Sequence, residues 1–221
     1  MRTFATPAPI SAVLDIPAGR VRFIAADRSD TAVEVLPSDS SKRRDVKVAE
    51  QTTVDFADGV LRIAATAKNQ VLGNSGSIEV TVQLPAGSRV EAKAASADFR
   101  GVGRLGEVTF DGSHGVIKLD EASGVHLTTL AGDVTVGRLT GPGEISTAQG
   151  DIRVTEAVRG AVVLSTQAGD VTVGAAVGVS ASLDAGTARG RIHNALKNTT
   201  GSADLTIHAT TAYGDIDARS L

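Results

Sequence analysis

One phrase, Gly-Asp-apolar, returns through the second half of the chain and restricts the fold more than any other feature. It stands at Gly132-Asp133-Val134, Gly150-Asp151-Ile152, Gly169-Asp170-Val171 and Gly214-Asp215-Ile216. Diverged copies are Gly115-Val116-Ile117 and Gly190-Arg191-Ile192, with Ala97-Asp98-Phe99 as an earlier one. The apolar residue of the phrase falls at 99, 117, 134, 152, 171, 192 and 216, so the steps are 18, 17, 18, 19, 21 and 24 residues. Self-similarity at a period of this size marks an architecture in which each repeat buries its apolar face only by stacking on its neighbours.

Alignment on the glycine shows which side chains point inward. Seven residues before it stand Val108, Val125, Gly143, Val162, Leu183 and Ile207, and five before it Phe110, Leu127, Ile145, Leu164, Ala185 and Ala209. The column between them is mostly polar: Thr109, His126, Glu144, Val163, Asp184 and His208. Inward residues resume after the corner at Ile117, Val134, Ile152, Val171, Ile192 and Ile216, alternating with Lys118, Thr135, Arg153, Thr172, His193 and Asp217. Period-two alternation on both sides of a glycine describes two short strands joined at a corner. Three residues before the glycine, Thr129, Thr147, Thr166, Thr187 and Thr211 form a column whose hydroxyls can satisfy backbone groups at the bend. The glycine supplies a backbone conformation closed to other residues, and the aspartate is expected to cap a nearby amide of the turn.

These observations predict an all-β chain, a β-solenoid or β-helix-like repeat with about 18 residues per rung, six to seven rungs in all. Residues 1–221 form a single domain in this reading, with a less regular N-terminal β region at 1–95 and the regular repeat at 96–221. In the first region Val33-Glu34-Val35-Leu36 and Ile78 to Leu84 alternate as strands do, and Asp58-Gly59 reads as a hairpin turn. Lys68 to Ser77 reads as an exposed loop, Lys42-Arg43-Arg44 as a solvated turn, and no stretch longer than a turn shows helical periodicity. The copies are expected to stack in sequence order, leaving the Ile216–Leu221 rung as an edge that is open or covered by a partner.

Ile16-Pro17-Ala18-Gly19 returns as Leu84-Pro85-Ala86-Gly87, and the Leu-Pro-Ala-Gly entry followed by serial Gly-Asp-apolar turns resembles the bacterial β-strand-repeat family called domain of unknown function 4097, a "putative adhesin" family. The resemblance covers most of the chain and is strongest from about residue 78 onward. It implies a β-helix-like fold and brings no catalytic residues with it.

Composition removes several functions. Cysteine is absent, so thiol nucleophiles, disulfides and Cys-based zinc sites are ruled out. A formal charge of −3 offers no basic field for nucleic acid, and aromatics at 3% with no tryptophan supply few flat faces for sugars or single-stranded bases. No run approaches the roughly 20 apolar residues of a membrane-spanning helix. The N-terminus has no charged segment followed by an apolar stretch, which predicts a cytoplasmic chain, with the cell surface as the alternative.

The candidate sites all have plainer readings. The column Asp133, Asp151, Asp170 and Asp215 could form a calcium ladder, but calcium takes six to eight oxygens and one aspartate per repeat, interrupted by Arg191, fits turn capping better. His126 and His208 share a column with Glu144 and Asp184; sequence order puts the two histidines four to five rungs apart, and a His126–Glu144 pair is an incomplete metal site. His114 and His193 have no obvious partners. Asp111, Asp120 and Glu121 are the densest carboxylates of the repeat, as an enzyme on polysaccharides would need, and a turn accounts for them. No catalytic, cofactor or metal residue is therefore assigned, and no cofactor is expected. The function read from the sequence is a non-catalytic β-repeat scaffold or adhesin-like binding module for a protein or cell-envelope component. The alternative is a self-assembling structural β-helix joined through its end rungs, and a polysaccharide-active enzyme ranks below both.

Overall fold

The computed structural model describes residues 1–65, 76–198 and 201–221. Its strands are β1 (Arg2–Ala5), β2 (Ser11–Ala26), β3 (Asp30–Pro37), β4 (Thr52–Ala57), β5 (Val60–Ala65), β6 (Ile78–Pro85), β7 (Arg89–His114), β8 (Ile117–Ala131) and β9 (Val134–Leu139). The chain continues with β10 (Gly143–Gln149), β11 (Ile152–Ala157), β12 (Gly160–Ala168), β13 (Val171–Ala175), β14 (Ala181–Arg189), β15 (Ile192–Ala195), β16 (Leu205–Tyr213) and β17 (Ile216–Ser220). The fold is nearly all β and β-solenoid-like, as the alternation requires. Apart from Gly76 and Ser77, the segment read as the Lys68–Ser77 loop lies outside the described residues.

The stack is visible in a single column. Val21, Phe99, Ile117, Val134, Ile152, Val171, Ile216 and Ile192 lie side by side in parallel register. All are buried except Ile192, which is 46% exposed. Parallel stacking thus already begins at β2, inside the N-terminal region. There Phe23, Phe99 and Phe110 fill the core, with ring centroids 5.7 and 5.3 Å apart.

The corner columns bond from layer to layer. Asp133 Oδ1 accepts the Asp151 amide at 2.9 Å, Asp151 Oδ1 the Asp170 amide at 2.8 Å, and Asp170 Oδ1 the Asp215 amide at 2.7 Å. The aspartates therefore cap the next layer's corner, where the sequence suggested capping within the turn. Thr166 donates its hydroxyl to the Gly150 carbonyl at 3.1 Å and Thr211 to Gly169 at 3.0 Å. Thr129 departs from this scheme, because its hydroxyl is buried without a partner. Thr129→Val is accordingly expected to stabilise the chain by about 1 kcal/mol, and Thr166→Val to destabilise it by about 1 kcal/mol. Chemical denaturation of the two variants checks the opposite signs.

Two further sequence expectations are corrected. Residues Arg43–Gln51 form a helix, α1, so Lys42-Arg43-Arg44 begins a helix where a solvated turn was expected. Its buried stripe is a single turn's worth, Asp45 with the part-buried Val48 and Ala49, too short to register as periodicity. Asp45 Oδ1 accepts the Ser77 amide at 2.9 Å, which anchors the helix beside β3, β5 and β6. The Asp58-Gly59 hairpin is present: β4 and β5 pair antiparallel around Asp58 at φ 51° and Gly59 at φ 75°.

The second correction concerns order. β16 pairs with both β12 and β14, and β17 with both β13 and β15, so the layer built from 205–220 lies between the layers 160–175 and 181–195. The outermost layer is β14–β15 and not the one containing Ile216. A polar core position explains the exchange. The inward column Leu119, Val136, Val154, Val173 and Ala218 ends at Asn194, and stacking in sequence order would bury that amide between Val173 and Ala218, at a cost of about 1–3 kcal/mol. Skipping a layer needs longer connections, which accounts for the wider last steps of 21 and 24 residues.

Candidate binding face

The outward side of β8, β10, β12, β16 and β14 is the broad face on which the polar column of the sequence comes together. The register aligns Thr109, His126, Glu144, Val163, His208 and Asp184 across successive strands. His126 Nδ1 lies 3.3 Å from Glu144 Oε2, and His208 Nδ1 lies 3.1 Å from Asp184 Oδ2. The layer exchange shortens the distance between the histidines to three strand steps, about 14 Å, in place of four to five. Half-exposed Val163 stands between the two pairs. Beside this column runs a row of hydroxyls, Thr128, Ser146, Ser165 and Thr210, in which Thr210 Oγ1 meets Ser165 Oγ at 3.2 Å.

Small residues hollow one edge of the face. Gly124, Pro142 and Ala161 leave a shallow depression of about 540 Å³, closed at its sides by Glu107, His126 and Glu144. A second depression of about 660 Å³ adjoins it through Ser123 and Pro142 and is lined by Arg159, Val177, Val179 and Asp204. Val177, 80% exposed, lies on the connection from β13 to β14 that passes the inserted layer. The connections around the inserted layer thus supply one wall of the second depression, through Val177, Val179 and Asp204. Sequence columns alone could not show it, because they align copies without saying which are neighbours.

The opposite face is organised by charge. Arg22, Arg100 and Lys118 are in register on three neighbouring strands, and Arg104, Glu121, Arg138 and Glu156 alternate in sign along another column. Arg138 meets Glu156 at 3.1 Å. Asp120 pairs with Arg100 and also takes the Gly103 amide, so the Asp111, Asp120 and Glu121 group is split by the Gly115 corner and does not gather in a groove. His114 and His193 are both exposed, the latter in register with Asp217.

The aspartate column ends at an ion pair. Arg191 donates to Asp215 Oδ2 from Nη2 at 2.7 Å and from Nε at 3.2 Å, and its amide donates to Oδ1 at 2.8 Å. The guanidinium, and then the amide, hold the Asp215 carboxyl below the usual carboxylate range. A carboxyl depressed in the folded chain adds stability above its unfolded pKa and loses it as pH falls through the folded value. In Arg191→Ala the Asp215 carboxyl is therefore expected to titrate at higher pH, closer to an ordinary aspartate, as followed by carboxyl-carbon NMR. Among the described residues, no three His, Asp or Glu side chains gather as a metal-ligand set.

The matching family model spans residues 13–220 and is described as Toastrack, domain of unknown function 4097. The chain belongs to the Toastrack family. Solved structures with the same fold include a "putative adhesin" from Bacteroides fragilis, 14% identical, with a TM-score of 0.60 over 98% of this chain and 95% of that one. A "putative adhesin" from Parabacteroides distasonis, 12% identical, aligns over 98% of this chain and 95% of that one with a TM-score of 0.45. No curated protein matches. At these identities the likeness to the Bacteroides protein establishes the fold of this Toastrack chain, and the face described above has to be judged on its own chemistry.

Proposed function

We propose that this Toastrack chain is a non-catalytic binding module that presents its His126–Asp184 face and the adjoining groove to a macromolecular partner, a protein or a component of the cell envelope. The observation that carries the reading is the division of labour between columns. Inward positions stay apolar from layer to layer as far as Asn194 in the outermost one, whereas the outward column runs Thr109, His126, Glu144, Val163, His208, Asp184 and so varies in charge and size on a rigid frame. The side chains on that face pair across strands in twos and leave the groove wall apolar at Pro142, Val177 and Val179. A surface of this kind suits extended contact better than a chemical step, which needs groups converging on one atom. The description of the Bacteroides fragilis protein as a "putative adhesin" agrees with a binding role.

The test compares wild type with Glu144→Lys/Val177→Asp for binding to immobilised cell-wall and membrane-protein fractions. Both positions face solvent, so the melting temperature is expected to hold while binding falls at least tenfold. Equal binding by the two proteins would remove this face from the function.

A further inference from the structure

The two ends of the stack are finished differently. At the first end the antiparallel strands β1, β3 and β4, together with α1, close over the core, and Phe4 meets Phe56 with ring centroids 5.4 Å apart. At the other end β14–β15 has no strand beyond it among the described residues. A parallel edge whose corner groups recur at every layer would be a template for another chain, above all for a second copy carrying the same corners.

Three features of that last layer oppose such an addition. The aspartate column, interrupted once by Val116, ends in Arg191, so no carboxylate is left to receive a further amide, and the guanidinium turns back onto Asp215. The inward column that holds Leu119, Val136, Val154, Val173 and Ala218 ends in Asn194, whose amide would lose its water under another layer. Asn194 Oδ1 then accepts the Leu196 amide at 3.0 Å and the chain folds back over the edge. The Lys197 carbonyl takes the Ala181 amide at 3.0 Å, and Ser180 Oγ meets Asn198 Oδ1 at 2.9 Å. The start of β14 is occupied in this way by the chain itself.

We infer that β14, β15 and residues 196–198 form a terminator that keeps a second copy of the chain from joining the stack end to end. It explains why the layer with the weakest apolar face, bearing half-exposed Ile192, is the one placed outermost.

Sedimentation of Arg191→Ala/Asn194→Val against wild type over a hundredfold concentration range tests this inference. Wild type is expected to hold one mass throughout, while the variant's average mass rises towards twice that value at the top of the range. Adding Ala185→Lys to the variant, at the same end, should return it to the single mass. If the double variant loses its β-sheet circular dichroism, Asn194→Val alone carries the test, because it leaves the Arg191–Asp215 pair intact. A folded variant that stays at the wild-type mass overturns the inference. So does a wild-type chain that assembles and is dissolved by Ala185→Lys.

Discussion

Gly150→Ala is expected to lower the unfolding free energy by about 4 kcal/mol, near the upper limit for one added methyl group. The residue sits at φ 141°, and a Cβ there would fall 2.3 Å from the Gly132 carbonyl oxygen and 2.6 Å from its carbon. Both atoms belong to the backbone of the neighbouring corner, which is held by the Gly132 amide on Gln149 and by Asp133 on Asp151. Relief would require two layers to separate. Gly186→Ala is the matched control: it stands in β14 at ordinary φ with open space where the Cβ would go, and should change stability by no more than about 0.5 kcal/mol. Urea denaturation of the pair decides the matter; similar losses at both positions would mean that corner geometry is not what the recurring glycine protects.

Phe99→Ala is expected to cost about 4 kcal/mol, since it deletes the middle ring of the Phe23, Phe99 and Phe110 cluster and leaves a cavity inside a fully buried wall. The same variant asks whether the N-terminal strands and the repeat melt together. Tyr213 is the single tyrosine of a chain without tryptophan, and it lies far along the stack, where its ring sits under the Arg189 guanidinium. Its fluorescence transition is expected to move down in temperature together with the circular dichroism transition. A Tyr213 transition left in place while the other moves would mean that the two ends unfold separately, as stacks with mainly nearest-neighbour contacts can do.

The columns of the repeat were legible because inward positions obey one rule at nearly every copy, Gly143 and Asn194 being exceptions. Val125, Ile145, Leu164, Ile207 and their equivalents announce a buried strand face without any three-dimensional knowledge. The Asp58-Gly59 turn was readable for a local reason, its demand for positive φ. Neighbourhood between layers was not legible. Every copy carries the same corner chemistry, so nothing in the glycine and threonine columns says that 205–220 stacks on 160–175; only Asn194, an amide in an apolar column, hinted at which copy belonged at the end. The groove wall at Val177, Val179 and Asp204 depends on that order and was hidden with it. Helix α1 escaped notice because nine residues with one short buried stripe offer too few turns to establish a period.

The exchanged order of the last two layers also bears on how the chain is made. Residues 181–195 leave the ribosome before 205–220, yet the strands on which they rest are β16 and β17. During synthesis the emerging β14–β15 segment has no finished surface of its own to settle on, although β12 and β13 offer it a similar and wrong one. Vectorial folding from the N-terminus can therefore run smoothly only as far as Ala175. The outermost layer can settle only once residues 205–220 are in place on β12 and β13, so the last two layers are completed out of chain order.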